Sequence, residues 1–324
     1  MNYGCYATTD APEGPAPHTR HRPRRPGLVR SLIVSAAVPA ASCQQTGILD
    51  PQGPIASAQR LLLINSTEIM LVVIVPVILA TLGFAWWYRS SNTSAKRSEE
   101  LVYEGRIDFV VWSIPALVVI LLGGVNWISS HELDPRAPIA AKAKPLEVDV
   151  VSLDWKWLFI YPDQHVASVD RLVIPAGIPI RFSLTSGSVM TAFFVPQLGS
   201  MIYTMNGMVT HLNLRADQAG DLQGLSAHFS GDGFPDMLFD VHVVSPLDFP
   251  KWVEATAKSD SVLNADAYKK LSQQSIETGR PTYRLDDPRL FNDIATLRIP
   301  PGPGPQLTDN VAKSKSESGA ANVR

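Results

Sequence analysis

Two long apolar runs without a charge constrain the fold of this chain more than any other feature of its sequence. The first, IMLVVIVPVILATLGFAWWY, extends from Ile69 to Tyr88, and the second, FVVWSIPALVVILLGGVNWI, from Phe109 to Ile128. A helix rises about 1.5 Å per residue, so each run would extend about 30 Å, the thickness of the hydrocarbon layer of a bilayer. We therefore predict a transmembrane hairpin with spans at 69–88 and 109–128. The alternative is a helical hairpin buried in a soluble protein.

Basic residues predict the orientation of this hairpin. Four of them lie between the two runs: Arg89, Lys96, Arg97 and Arg106. Between Cys43 and the first run, Arg60 is the only basic residue. Because basic residues concentrate in cytoplasmic loops, the connection is expected on the cytoplasmic side and both ends of the mature chain outside the cytoplasm.

The N-terminal segment has the features of a leader. Residues 1–27 are rich in Pro, Arg, Gly and Thr and have no apolar period, which indicates disorder. In LVRSLIVSAAVPAASC, a basic residue and a short apolar stretch precede small residues and Cys43. This order is typical of a secretory signal that ends at a lipid-modified cysteine. We expect 1–42 to be a leader and lipoprotein-type signal and Cys43 to be lipidated; the alternative is a free cysteine in a cleaved leader.

From about Pro145, short runs of β-branched and aromatic residues predict strands. LEVDVVSLDWKWLFIYP, RLVIPAGIPIRFSLTS, VMTAFFVPQLG, THLNLRAD and MLFDVHVVSP are separated by Pro, Gly, Asp and Ser. This pattern favours a small Greek-key sandwich or barrel, which we place at 131–248, after the hairpin region at 43–130.

The remaining C-terminal part divides into two segments. Residues 249–299 are polar and helix-forming, and we expect a helical extension that aromatic residues attach to the β domain: Trp252, Tyr268, Tyr283 and Phe291. PPGPGP then opens a tail at 300–324 that we expect to be disordered.

One loop of the β domain has regularly spaced residues. In SAHFSGDGFPDM, intervals of four, four and three separate Ser226, Ser230, Phe234 and Met237. Two transmembrane helices followed by an extracytoplasmic β-sandwich with such a loop resemble subunit II of the haem–copper terminal oxidases. The resemblance runs from about residue 43 to about residue 291. It implies an α+β membrane protein with a Greek-key, cupredoxin-like sandwich.

In the cytochrome c oxidase branch of that family, this loop and an upstream histidine hold a binuclear copper centre. The pattern is a His ahead of V-P-x-L-G, followed by C-x-E-x-C-x-x-x-H-x-x-M. Here TAFFVPQLG places Thr191 at the first histidine position. The loop supplies, in the order of the pattern, Ser226, His228, Ser230, Phe234 and Met237.

These residue types do not suit a copper pair. The centre is bridged by two thiolates, which form readily because the pKa of cysteine is about 8.5. Serine hydroxyls stay protonated near neutrality, Phe234 has no lone pair, and Met237 alone is a weak neutral ligand. No cysteine lies beyond Cys43. His211 and His228 could bind a single copper, but a lone histidine in a β protein is more often hydrogen-bonded or exposed.

A subunit II that keeps the sandwich without the copper ligands is the mark of the quinol oxidase branch. DWKWLFIYP, SVMTAFFVPQLGSMIYTMNGM and FSGDGFPDM are similar to the cytochrome bo-type ubiquinol oxidases. The resemblance implies that haems, the remaining copper and the quinol site belong to subunit I, with no cofactor on this chain. The aromatic residues of the first segment are then expected to serve core and interface packing: Trp155, Trp157, Phe159 and Tyr161.

The same resemblance implies the partners and the location. This chain would support subunit I and smaller membrane subunits in a complex that couples the oxidation of ubiquinol by oxygen to proton pumping. It would lie in the bacterial inner membrane, in contact with the lipid bilayer, with its N- and C-terminal parts in the periplasm. No soluble cytochrome c is expected as a partner. A formal net charge of −2 gives no indication of nucleic-acid binding.

Asp108 is the candidate for a direct role in proton movement. It precedes the second apolar run in GRIDFVVW, at the cytoplasmic edge by the orientation above. In the family a carboxylate there lies at the mouth of a proton-uptake path. The alternative is a solvated Asp that the helix dipole favours. Glu68, just before the first run, is interpreted as an interfacial charge.

Two other functions remain open at this stage. The β domain could still bind copper as the electron-entry subunit of a cytochrome c oxidase. Alternatively, the chain could be a lipid-anchored membrane scaffold or assembly factor with a generic sandwich. Copper binding separates the first from a quinol oxidase subunit, and co-purification with a haem protein separates the second.

Overall fold

The computed structural model describes residues 47–95, 104–141, 143–275, 279–302 and 304. The leader predicted at 1–42, the lipidation candidate Cys43 and most of the tail predicted at 300–324 lie outside these residues.

Two long helices come first, and both are longer than the apolar runs. Helix α1 is Pro54–Trp87 and α2 is Gly105–Glu132. Proline at the start of α1 is favourable because the first turn of a helix has no partner for its N–H groups. Ala56 is the only buried residue of α1, and α2 has none. Both helices are long and apolar enough to cross a membrane. The alternative of a hairpin buried in a soluble core is wrong, because the apolar side chains face outward.

Backbone hydrogen bonds attach both helices to the β domain. The Gln52 N–H donates to the Gln197 carbonyl at 2.8 Å, and the Ala56 N–H donates to the Leu198 carbonyl at 3.2 Å. After α2, the Asn213 N–H donates to the Pro135 carbonyl at 2.9 Å. The start of α1 and the segment after α2 are therefore fixed against the domain without a free linker.

The β domain is a sandwich of two sheets. Within the described ranges, one sheet has seven strands in the order β11-β12-β3-β2-β1-β5-β8, and the other has five in the order β4-β10-β9-β6-β7. The strands are β1 Leu146–Leu153, β2 Lys156–Tyr161, β3 Val166–Val169, β4 Arg171–Pro175, β5 Ile180–Ser186, β6 Thr191–Phe194, β7 Ile202–Thr204, β8 Thr210–Leu214, β9 Gly220–Ser226, β10 Leu238–Val244, β11 Val262–Leu263 and β12 Thr282–Leu285. The predicted fold class, two apolar helices followed by a β-sandwich and a short helical end, is confirmed.

Aromatic rings fill the space between the sheets. Trp157 and Phe159 of β2 are fully buried and contact Phe193 of β6 and Phe239 of β10. The rings of Phe193 and Phe239 stack with centroids 5.2 Å apart. Such pairs contribute about 0.5–1.5 kcal/mol beyond the apolar area that they bury.

A second apolar cluster covers the opposite face of the seven-stranded sheet. Leu158 and Ile160 of β2 point into it and meet Tyr268, Leu271 and Phe291 of the C-terminal extension. Every residue of β2 is therefore buried, because this strand is covered on both faces.

The extension differs in part from the helical segment that its composition predicts. It forms the short helices α3 Phe249–Ala257, α4 Ala265–Leu271 and α5 Leu290–Ala295, but also β11 and β12. Strand β12 pairs antiparallel with β3, which would otherwise be an edge strand with unpaired backbone groups. The β-forming residues Thr282 and Tyr283 suit this position.

Candidate functional site

The loop that follows β9 returns to β10 through a short 3₁₀ turn, Phe234–Asp236. The Ser226 N–H donates to the Met237 carbonyl at 3.1 Å, which closes the loop on itself. The Ala227 N–H donates to the Ala192 carbonyl at 3.0 Å and holds the loop against β6. Thr191, Ser226, Ser230 and Met237 are all buried in this part of the sandwich.

A hydroxyl network occupies the first part of this site. The side chains of Thr191 and Ser226 share a hydrogen bond. Ser226 Oγ donates to the His228 carbonyl at 3.2 Å, which leaves Thr191 as the donor of the shared bond. Beside them, Thr204 Oγ1 lies 2.8 Å from Ser152 Oγ. The hydroxyls therefore satisfy one another in a buried setting where unpaired polar groups would be costly.

Trp155 covers the second part of the site. Its indole N–H donates to the Ser230 carbonyl at 3.0 Å, and its ring packs so closely on Gly233 that a Cβ there would collide with it. Ser230 Oγ in turn lies 3.9 Å from Met237 Sδ. Trp155 has a φ of 67° in the turn between β1 and β2, an uncommon conformation for a large residue.

Phe234 and His228, which stand at the histidine and glutamate positions of the copper pattern, contact other rings. Phe234 contacts Phe229, with centroids 5.7 Å apart, and the His228 imidazole meets Tyr203 edge-on at 5.8 Å. His211 lies in β8 of the seven-stranded sheet, whereas His228 lies in the loop that follows β9 of the five-stranded sheet. In the part of the chain that the structure describes, no cluster of three or more His, Cys, Asp or Glu side chains could hold a metal ion.

This donor set does not fit a binuclear copper centre. Thr191, Ser226 and Ser230 offer neutral hydroxyls that are already hydrogen-bonded, and Met237 offers one thioether. A bridged copper pair requires soft anionic ligands, and none of these groups becomes one near neutral pH.

The aromatic residues of DWKWLFIYP lie in the core. Trp157, Phe159 and Tyr161 are fully buried, and Trp155 is nearly so. The Tyr161 hydroxyl donates to the Val173 carbonyl at 3.0 Å and accepts from the Val173 N–H at 2.9 Å. Burial raises the pKa of Tyr161. The predicted packing role of these residues agrees with this arrangement.

Asp108 lies in the first turn of α2 and is part of an open groove. The groove, about 680 Å³ in volume, is also lined by Trp112 and Ser113. Within the described ranges, the Asp108 carboxylate has neither a hydrogen bond nor an ion pair, so it is available to a neighbour. Glu68 is exposed on α1.

Two charged residues for which the sequence predicts no role, Asp154 and Lys156, are deeply buried. Asp154 accepts a hydrogen bond from Ser188, and burial raises its pKa. The Lys156 ammonium donates to the Gln273 carbonyl at 2.8 Å and to Ser275 Oγ at 2.6 Å. Both charges lie at the start of the largely apolar segment DWKWLFIY. Because a charged side chain is seldom fully buried without a partner, charges in such a segment indicate buried partners.

The chain is similar in sequence to several named proteins. No family model matches the chain. It is 44% identical over 263 residues to a protein of Acetobacter aceti named ubiquinol oxidase subunit 2, covering 81% of this chain and 85% of the relative. It is 41% identical over 266 residues to cytochrome bo(3) ubiquinol oxidase subunit 2 of Pseudomonas aeruginosa, covering 82% and 80%. Quinol oxidase subunit 2 of Bacillus cereus is 33% identical over 241 residues, covering 74% and 82%.

Among solved structures, the periplasmic domain of cytochrome oxidase subunit II of Bradyrhizobium japonicum is similar to part of the chain. The identity is 26%, the TM-score is 0.34, and the match covers 36% of this chain and 96% of that domain.

Proposed function

The chain belongs to the ubiquinol oxidase subunit 2 family, and from this membership we propose that it is the non-redox second subunit of a proton-pumping ubiquinol oxidase. Its role in that complex is to pack its two helices against subunit I and to cover the outer face of that subunit. The haems and the copper of the complex belong to subunit I, and this chain carries no cofactor. Ubiquinol delivers electrons from the membrane, so no soluble cytochrome c is a partner.

The observation that carries the proposal is the hydroxyl network at Thr191 and Ser226. An electron-entry subunit would need thiolates at the loop, and this chain places hydrogen-bonded hydroxyls and a covering indole there. The copper-binding alternative is therefore not favoured. The scaffold alternative does not account for 44% identity over most of the chain to an oxidase subunit.

Isolation of the intact complex through a tag on this chain tests the proposal. We expect a reduced-minus-oxidised spectrum with haem bands, oxygen consumption driven by ubiquinol, and no stimulation by soluble cytochrome c. Copper added to the purified full chain should not produce the intense absorption of a thiolate-bridged pair. Two stoichiometric coppers bound within 226–237 would contradict the proposal.

The outward-facing side chains of α1 and α2 support the membrane location. The chain is a membrane-bound subunit, and we place it in the bacterial inner membrane, in contact with subunit I, smaller membrane subunits and lipid. The connection between the helices faces the cytoplasm, and the sandwich faces the periplasm. Protease added to intact spheroplasts should then digest the sandwich and leave the connection protected.

Cys43 is the proposed lipid-bearing residue of the mature chain. A lipid on the outer leaflet agrees with the orientation above, since both place this end outside the cytoplasm. Mass spectrometry of the N-terminal peptide should find a diacylglyceryl group on Cys43. An unmodified residue at a mature N-terminus elsewhere would dismiss this assignment.

Asp108 is proposed to stand at the entrance of a proton-uptake path. Its unpaired carboxylate, among the described residues, opens into the groove beside Trp112 and Ser113. A carboxylate at the membrane edge that packs against a partner subunit is partly desolvated and suits proton relay.

A further inference from the structure

A cavity of about 580 Å³ lies where the C-terminal extension meets the sandwich. Helix α4 forms one wall, Pro300, Pro301, Gly302 and Gly304 form another, and Asp154 lies at the floor. This volume is in the range of small-molecule sites, which is roughly 300–1,000 Å³.

The walls of the cavity are held in place by contacts with the sandwich. The Gly302 N–H donates to the Gly187 carbonyl at 2.7 Å and keeps the C-terminal segment above the floor. On the other side, Tyr268 and Leu271 anchor α4 in the second apolar cluster. A Cβ on Gly187 would collide with the Tyr268 hydroxyl, so the glycine allows this ring to reach the floor.

The floor presents two buried polar groups with unused hydrogen-bonding capacity. Asp154 is only 2% exposed; its Oδ1 accepts from Ser188, and its Oδ2 lies beneath Gly302, with no hydrogen bond to any residue in the described ranges. Tyr268 is also 2% exposed, and within the same ranges its hydroxyl has no hydrogen-bond partner. Both residues line the same cavity, so a ligand with hydroxyl groups can hydrogen-bond to the Asp154 carboxylate and to the Tyr268 phenol.

The remaining lining selects the chemistry of that ligand. Asp266 and Lys269 bring opposite charges to the mouth, and Arg298 is paired with Asp293 at 3.2 Å. An organic cation on Asp154 would be repelled by the nearby buried Lys156, whose charge partly offsets the rise in the pKa of Asp154 that burial causes. A lining of mixed sign therefore favours a neutral molecule. Ile299 and the two prolines add an apolar surface.

We infer that this cavity binds a neutral polyhydroxylated ring compound, of the chemical class of a mono- or disaccharide. One hydroxyl of the ligand donates to Asp154 Oδ2 while another hydrogen-bonds with the Tyr268 hydroxyl. The C–H face of the ring packs on Pro300 and Pro301. The site is independent of the quinol oxidase assignment.

Two sources could supply such a ring, a free sugar or a sugar unit of a cell-envelope glycan. Equilibrium dialysis of the purified, detergent-solubilised complex with labelled maltose tests the first, and dialysis with labelled N,N′-diacetylchitobiose tests the second. Benzylammonium serves as the cationic competitor. We expect saturable binding of at least one disaccharide in the millimolar range and no displacement by benzylammonium.

Two substitutions locate the binding. Tyr268→Phe removes one hydrogen bond and should weaken binding by roughly fivefold, and Asp154→Asn should weaken it by roughly tenfold. Tyr203→Phe, in β7 and outside the cavity, is the matched control and should bind as the wild type does. The haem spectrum and quinol oxidase turnover of each variant report assembly; Tyr268→Phe retains the ring and tests the site if Asp154→Asn does not assemble.

Saturable binding that weakens in Tyr268→Phe and is retained in Tyr203→Phe supports the inference, and the disaccharide that binds identifies the source. Absence of saturable binding of both disaccharides overturns it. Equal affinity in Tyr268→Phe and the wild type, or binding of benzylammonium alone, overturns it as well.

Discussion

Thr191 and Ser226 hold the loop with a side-chain hydrogen bond, whereas a metal centre would hold it by coordination. The indole of Trp155 closes the same space through the Ser230 carbonyl and the surface of Gly233. At the residue scale, packing and hydrogen bonds fix the loop. Its stability depends on the close approach of Trp155 and Gly233.

Gly233→Ala tests that close approach. The added Cβ would meet the Trp155 ring, and overpacking of this kind costs about 1–3 kcal/mol. The midpoint of thermal unfolding of the purified complex should fall. Gly220→Ala is the control, because nothing lies within 4 Å of its added Cβ. Equal midpoints for the two variants would show that the indole does not press on this glycine.

Asp108→Asn tests the proton-uptake role. The amide keeps the size of the side chain but cannot carry a proton, so turnover should fall severalfold while the complex assembles with its full haem content. Asp108→Glu should restore most of the turnover. Glu68→Gln is the control at the other membrane edge and should leave turnover unchanged. Oxygen consumption by Asp108→Asn at the wild-type rate would dismiss the relay.

Contacts between residues far apart in the chain cannot be predicted from a local sequence pattern. The resemblance to the oxidase loop directs attention to Ser226, Ser230 and Met237, which the sequence numbers alone can locate. The covering role of Trp155 and the burial of Asp154 and Lys156 depend on partners far along the chain. Lys156 meets Gln273, 117 residues later, and no local pattern contains that contact.

At the scale of elements, the C-terminal extension is held by a buried charge. Lys156 is only 1% exposed, and its ammonium donates to a carbonyl and a hydroxyl just after α4. Lys156→Met should fill the space but lose both bonds, which costs about 1–3 kcal/mol. Limited proteolysis should cut the extension faster in this variant.

Lys251→Met is the matched control for this substitution. Its ammonium is exposed and, in the described part of the chain, pairs only with Asp248, so solvent screens the pair and it contributes little to stability. The extension should therefore be cut at the wild-type rate. Equal cleavage in the two variants would mean that Lys156 does not hold the extension.

Strand β1 carries a group that makes stability depend on pH. Burial, and then the neighbouring Glu147, raise the pKa of Asp149 to about 7. Between the pKa of an unfolded Asp, about 4, and about 7, the folded chain binds a proton that the unfolded chain has lost. The free energy of unfolding therefore falls as the pH rises through this window.

Asp149→Asn should remove this part of the pH dependence. At about pH 8 the variant should be more stable than the wild type by on the order of 2 kcal/mol, and at about pH 4 the two should be similar. Thermal unfolding of the complex over this range measures the difference. A variant that is less stable at the higher pH would refute the assignment.

Elements follow from the sequence where one local signal dominates. The apolar runs predict two helices, but not that α1 begins at Pro54, because polar residues interrupt the apolar pattern at 65–68. The backbone hydrogen bonds of Gln52 and Ala56 to the sandwich support the first turns of α1, which the apolar pattern does not include. Strand β12 likewise forms because β3 supplies its partner, whereas the polar composition of 249–299 as a whole predicts helix.

At the scale of the whole molecule, α1 joins the sandwich to the membrane without a loop. Its 34 residues extend about 51 Å, and the apolar run accounts for about 30 Å of that length. One alanine inserted after Thr67 would turn the sandwich by about 100° relative to the membrane part of α1. We expect the haem complex to lose this subunit on purification.

Seven inserted residues are close to two full turns and nearly restore the direction, so the subunit should be retained better than with one. The ratio of this chain to haem in the purified complex measures the effect. Equal retention of both insertions would show that the direction of the sandwich does not matter for assembly.

The hydrogen bonds of Gln52 and Ala56 therefore prevent the β domain from rotating freely about α1. The orientation of the β domain around the membrane normal is set by the helical phase of α1. A partner that binds the apolar turns of α1 would therefore also orient the β domain, because each residue between 57 and 68 adds about 100° to the angle between them.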